Sequence, residues 1–156
     1  RKNAMHDLVE QYDDVNVEWS FTYAWPDFFP DVKAKMESLI QANPEPGAID
    51  AVYATFDGAG VAAAHAIKEA GLEDSIVVVG IDGDPEAYKE MSDPTSPFKA
   101  TMAQQPAQFA KKIVEQVSLL LEGKAIESNY IPMPGKLITQ EDVLSGEVDL
   151  EIEGME

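Results

Sequence analysis

Cysteine is absent from the 156 residues, so no disulfide staples this chain and no thiolate holds a metal. Arginine occurs once, at Arg1, and all bases together number 11 against 29 acids, a formal charge of −18. Phosphate backbones demand clustered Lys and Arg, so nucleic acid is not an expected partner. No apolar run is long enough to cross a bilayer. The two histidines, His6 and His65, stand far apart, each alone in a helical stretch, and read as solvated or packed side chains. No G-x-G-x-x-G, Walker loop or G-x-S-x-G occurs, and no serine sits at an elbow-like turn. "DGDPE" (82–86) lacks the length and the later Glu of a calcium loop. These absences leave no nucleophile–base pairing and no cofactor motif, so neither catalysis nor a cofactor is expected.

What is present suits one compact domain: 45% of the residues are hydrophobic, enough for a real core at this length. Residues 141–156 hold seven acids and no base. The acidity reads as a solvated, self-repelling surface or as adaptation to high salt. The opening "RKNAMHDLVEQY" reads as the interior of a helix, so an upstream segment, which can include an export signal, is expected to be missing.

Residues 1–12 space Ala4, Met5, Leu8, Val9 and Tyr12 along one helix face. "VNVEWSFTY" (15–23) alternates like a strand. "AWPDFFPD" (24–31) is an aromatic, proline-broken loop, and Asp31 is placed to cap a helix over 32–43. "AIDAVYAT" (48–55) is a short strand. Asp57 is placed to cap "GAGVAAAHAIKEA" (58–70), closed by Gly71. "SIVVVGI" (75–81) is apolar at every position, as in a strand buried on both faces. Pro85 suits the first turn of a short helix. "FKATMAQ" (98–104) is a strand. A helix over 106–123 carries Ala110, Ile113, Val114, Val117, Leu120 and Leu121 on one stripe. Residues 128–143 read as extended, and the tail from Ser145 as unstructured. Alternation of helices and strands through 104 predicts an α/β fold, a parallel sheet covered by helices with right-handed crossovers.

In such a sheet, ligands gather at the carboxyl ends of the strands. Asp82 leaves one of them after five apolar residues. A carboxylate there accepts two hydrogen bonds from adjacent hydroxyls, which suits a neutral polyol. Trp25, Phe28 and Phe29 crowd a second loop, where an aromatic face packs on the C–H face of a sugar; Phe28 is the preferred candidate. Asp57 serves as a helix cap or, less favoured, as a ligand contact, and Phe56 lines the site beside it. Gln104 offers a donor and an acceptor at the third strand end.

"LIQANPEPGAIDAVYATFDGAGVAAAHAIKEAG", "IVVVGIDGDPEAYKEM" and "FKATMAQQPAQFAKKIVEQVSLLLEGK", in that order, resemble the type I periplasmic sugar-binding proteins, the ribose-binding-like family of ABC transporters, over roughly residues 1–143. The most specific pieces are "VVGIDG" and "ATMAQQP". The resemblance implies a clamshell of two Rossmann-like α/β lobes joined by hinge strands, which closes on a sugar and docks on a membrane permease. It matches Asp82 to an aspartate holding two sugar hydroxyls, Gln104 to a hinge glutamine, and the aromatic loop to a ring-packing position. It departs at Phe56, commonly an asparagine that contacts sugar, which counts against ribose itself.

It departs also in length. The resemblance implies that residues 1–104 are the second lobe and 105–126 a hinge-crossing helix that packs on an absent first lobe. Residues 127–144 would be return strands and 145–156 an acidic tail. Without that lobe, helix 106–121 is expected to pack on another copy or fold back on its own sheet, and the 156 residues alone to bind ligand weakly or not at all. The implied partners are a monosaccharide or polyol and a permease, and the implied place is the periplasm or the cell exterior, with a lipid anchor as one form. Two other functions stand beside solute binding. One is the effector-binding half of a lac-repressor-like regulator, although such chains usually read "VPEDISVVGFDD" where this one reads "LEDSIVVVGIDGDPEA". The other is a doubly wound enzyme.

Overall fold

A computed structural model of the chain describes residues 1–126, 128 and 130–148. In chain order the elements are α1 (Lys2–Val9), α2 (Phe28–Ala42), β1 (Ala51–Tyr53), α3 (Asp57–Glu69), β2 (Val77–Asp82), α4 (Pro85–Met91), β3 (Phe98–Ala103), α5 (Pro106–Leu121), β4 (Lys136–Thr139) and α6 (Gln140–Ser145). The strands form one sheet in the order β1-β2-β3-β4. β1, β2 and β3 run parallel, and β4 returns antiparallel to β3, pairing Thr101 with Ile138. The expected α/β class holds, with one antiparallel edge strand.

The core lies between this sheet and a row of helices. Ala59, Ala62, Ala63, Ala64 and Ala66 let α3 approach the strands closely, and Val32, Met36 and Ile40 of α2 close over it. Phe98 is fully buried beneath α3, against Gly60 and Gly80. Ala87 and Met91 of α4, Ile138 of β4 and Val143 of α6 extend the same apolar layer.

Several expected elements differ. β2 is not buried on both faces: Val78 and Gly80 are buried, but Val77 stands exposed, as do Met102 and Leu137, which the ladder pairs on that same side. Alternation across a pleated strand lets one side bury while the other waits for a second layer. Segment 15–23 joins no ladder, and Val15, Val17, Trp19 and Phe21 are exposed. Alternation makes a strand only where a partner edge meets it. Near its end, Lys35 Nζ donates to the Thr22 carbonyl and the Asp31 carboxylate accepts from the Ala24 N–H, both at 2.7 Å. Asp31 therefore does not cap α2, which starts three residues earlier; Pro30 is tolerated because first-turn N–H groups need no helical partner.

α6 begins inside the stretch 128–143 expected to be extended and runs through Ser145, where the tail is expected to lack structure. Thr139 Oγ1 accepts from the Asp142 N–H while Asp142 accepts from the Thr139 N–H at 2.8 Å, a reciprocal capping box that starts the helix, and Gly146 at φ 77° ends it. α5 buries none of its residues, so it does not fold back on its own sheet. Of the expected acidic tail, residues 149–156 lie outside the described residues.

Candidate functional site

The carboxyl ends of β1, β2 and β3 converge, and the side chains that leave them meet at Asp82. Arg1 Nη2 donates to Asp82 Oδ1 at 2.5 Å and its Nη1 to Asp82 Oδ2 at 3.2 Å, a two-pronged grip. The same Nη1 donates to the Thr55 carbonyl at 2.7 Å, just past the end of β1. Gln104 Nε2 donates to Asp82 Oδ1 as well. The Gln104 backbone N–H extends the ladder to the Asp82 carbonyl at 2.8 Å, so both side chains are carried on one rigid edge. Asp82 holds φ at 138°, a region rarely adopted by a residue with a side chain. Such a backbone costs on the order of 1–3 kcal/mol and persists where its surroundings over-determine it.

Asp57 supplies part of that determination. It is neither cap nor cleft residue: no side-chain cap bond forms at the start of α3, and Asp57 is 0% exposed. Its Oδ2 accepts from the backbone N–H of Gly83 at 2.7 Å and of Asp84 at 2.8 Å, and its Oδ1 from the Thr101 hydroxyl at 2.7 Å. Burial pushes the Asp57 carboxyl up from its ordinary range, against the downward pull of those donors. Asp84 is pushed up too, by burial first and then by the charges of Asp57, Asp82 and Glu86. The Tyr53 hydroxyl is raised by burial, with Arg1 opposing. Asp82 raises the Arg1 guanidinium further into its charged range.

The aromatic wall stands beside this cluster. Trp25 stacks on Phe28 with centroids 5.6 Å apart and planes at 15°. Phe28 meets Phe56 at 4.8 Å and 77°, and Tyr23 meets Phe56 at 5.1 Å. Trp25 is 74% exposed and presents the open ring, while Phe28 is half-buried between Trp25 and Phe56. Phe29 turns away, edge-on to His65 at 5.4 Å.

The structure thus brings Asp82 and Gln104 into direct contact, gathers Trp25, Phe28 and Phe56 into one wall, and sets Asp57 beneath. Arg1 escaped the residue reading, although it is the only arginine in the chain. Thr101 escaped too, and a threonine within an apolar strand carries no local signal of this role. Among the described residues no group of three His, Cys, Asp or Glu side chains could hold a metal ion. The arrangement offers acceptors, donors and an aromatic face, a set suited to a neutral, hydroxyl-rich ligand. A separate groove of about 410 Å³ runs along α5, lined by Phe109, Ile113, Val117, Leu120, Ile131 and Met133. It is mostly apolar, with Lys112, Gln116 and Ser128 also in its lining, and none of the carboxylates of the cluster lines it, so the candidate site remains the open sheet edge and not this groove.

Residues 1–125 match the family model described as periplasmic binding protein domain. The ribose import binding protein of Escherichia coli (strain K12) is 34% identical over 106 residues, covering 68% of this chain and 33% of the relative. That of Bacillus subtilis (strain 168) is 36% identical over 105 residues, covering 67% of this chain and 32% of the relative. A solved ABC transporter solute binding protein from Agrobacterium vitis, with bound allitol, superposes with a TM-score of 0.82 at 26% identity, covering 94% of this chain and 50% of that one. The match therefore spans about a third of the length of the curated relatives and half of the solved chain.

Proposed function

The chain belongs to the periplasmic binding protein domain family, and we propose that it is the second lobe of a solute-binding protein that captures a monosaccharide or polyol for import by an ABC transporter. The observation that carries this reading is the Arg1–Asp82–Gln104 constellation at the carboxyl end of the parallel sheet. As ligand enters, its hydroxyls take over part of the Asp82 carboxylate from Arg1 and Gln104, which then donate to other ligand oxygens, and the open ring of Trp25 packs on the C–H face of the sugar, backed by Phe28 and Phe56. Asp57 takes no part in direct contact.

A single jaw grips one side of its ligand. The mechanism is closure of two lobes about a hinge, with sugar binding the closed state better and shifting the population toward it. The exposed stripe of α5 and the bare side of the sheet, where Val77, Met102 and Leu137 lie open, are the surfaces that the rest of the protein covers. The closed form delivers its ligand to a permease outside the cytoplasm. Ribose, allitol, D-allose and L-arabinose, named for relatives and solved neighbours, stand as probes for the pentoses, hexoses and alditols of the proposed ligand class.

The test is a thermal-shift panel of D-ribose, D-allose, L-arabinose and allitol on the two-lobed protein, with Asp82→Ala beside it. A ligand at a hundred times its Kd adds about 2.7 kcal/mol of stability. A shift with one sugar that vanishes in Asp82→Ala supports the reading. No shift with any of these probes, or a shift untouched by the substitution, refutes it.

A further inference from the structure

The turn between β2 and α4 places a strained residue at the point where ligand is gripped, and something beneath must hold it there. We propose that Asp57, clasped by Thr101, is the positioning residue of this site: it never touches ligand but fixes the turn that aims the Asp82 carboxylate. This deepens the binding reading and rests on it.

Four observations converge. The Asp57 carboxylate is fully buried, and its hydrogen-bond partners among the described residues are three donors and no cation: the N–H groups of Gly83 and Asp84 and the Thr101 hydroxyl. A buried carboxylate is costly unless its acceptors are filled, and here they are filled by the two amides that directly follow Asp82. Second, a helix cap would explain an aspartate at this position, but its side chain caps nothing. Third, the turn is pinned from both sides. A Cβ at Gly80 would lie 2.3 Å from Asp57 Oδ1, and one at Gly83 would lie 2.5 Å from the Ala103 Cβ. Fourth, Asp82 stands at φ 138° and is the one non-glycine residue with positive φ among the described residues. A backbone so placed relaxes unless its neighbours are held, and the neighbours held are the two residues on Asp57.

The carboxylate matters, and not only its shape. Three hydrogens aim at Asp57, and a carboxylate accepts all of them. An asparagine keeps one acceptor oxygen for the two amides, turns its NH2 group toward the Thr101 hydroxyl, which must then accept, and loses the charge that strengthens these bonds. Thr101 is the second half of the device, because its hydroxyl bridges β3 to Asp57 and also lies 3.3 Å from the Gly83 N–H. Charges that face this carboxylate from the packed elements are those of Asp82 and Asp84, with the Tyr88 hydroxyl alongside and Arg1 beyond. Losing charge-assisted bonds of this kind is expected to lower affinity about tenfold or more.

The experiment uses the two-lobed protein and calorimetric titration with whichever of D-ribose, D-allose, L-arabinose or allitol binds. Asp57→Asn, Thr101→Val, Thr101→Ser, Asp82→Asn and Met36→Ala are compared, with Tm measured for each. Asp57→Asn and Thr101→Val are expected to lose affinity about tenfold or more. Thr101→Ser keeps the hydroxyl and should stay near the parent. Met36→Ala, a core cavity away from the turn, should lower Tm without moving affinity. Asp57→Asn binding as tightly as the parent while Asp82→Asn abolishes binding overturns the proposal. So does Met36→Ala losing affinity in step with Tm, since the effect would then be loss of fold. Should Asp57→Asn fail to fold, the Thr101 pair decides: equal affinity for Val and Ser overturns it. Asp82→Asn binding like the parent, or no probe binding the parent, overturns the binding reading itself.

Discussion

Substituting Gly83 by alanine adds one methyl group and imposes two separable costs. Gly83 sits at φ 79°, and a Cβ there would lie 2.5 Å from the Ala103 Cβ, 2.7 Å from the Tyr88 hydroxyl oxygen and 2.9 Å from the Ala103 Cα. The left-handed backbone alone costs an alanine about 1–2 kcal/mol. Forcing a methyl group against a neighbouring strand adds about 1–3 kcal/mol, so the loss should total about 2–5 kcal/mol. Gly71 provides the control inside the same molecule: its φ is 69°, and an added Cβ meets nothing within 4 Å. Gly71→Ala should therefore lose only the conformational part, about 1–2 kcal/mol. Urea unfolding of both variants and the parent measures this, provided the m-values agree. The informative quantity is the difference between the two glycines. Equal losses would mean that the turn does not press on β3, and the account of how Asp82 is held would fail with it.

Three further contacts in the structure can be tested in the same way. Asp93 is held down to about 2 by Lys68 Nζ and by the Thr95 hydroxyl and N–H, below its usual 3.8; its contribution to stability is present above that unfolded value and lost as pH falls toward 2, so Asp93→Asn should flatten the acid limb of a stability–pH curve, and an unchanged limb would count against the contact. Leu121, at 84% exposure, and Met36, at 1%, make a contrast: Leu121→Ala should stay within about 0.5 kcal/mol of the parent, whereas Met36→Ala should lose about 2–5 kcal/mol, and a large loss at Leu121 would show that α5 is packed. Thr139→Ala removes one half of the α6 capping box and should cost about 1 kcal/mol by denaturant unfolding, while Thr139→Ser should not.

Local pattern made much of the fold readable. The helix over 106–121, the short helix opened by Pro85 and the strands ending near Ala54, Asp82 and Ala103 all follow from apolar spacing, prolines and glycines within a dozen residues. α6 was readable too, from a threonine followed three residues later by an acid, but prolines just before it favoured an extended reading. Segment 15–23 went the other way: its alternation is real, yet a strand exists only when another edge answers it, and no window of sequence contains that edge.

Residue type and local pattern are enough to say which side chains reach the carboxyl ends of the strands, Asp82, Gln104 and the aromatic loop among them. Tertiary structure alone decided what those side chains do. Arg1 and Asp82 are 81 positions apart, Asp57 and Gly83 are 26 apart, and Asp57 and Thr101 are 44 apart. Periodicity and capping are interactions between neighbours along the chain, so they foretell where a residue lies on its element. Whether an aspartate at a helix start caps its own helix or props a distant turn depends on which donors folding brings to it. At Asp57 those donors came from β3 and from the turn after β2, and they won because a buried carboxylate must fill its acceptors wherever donors can be found.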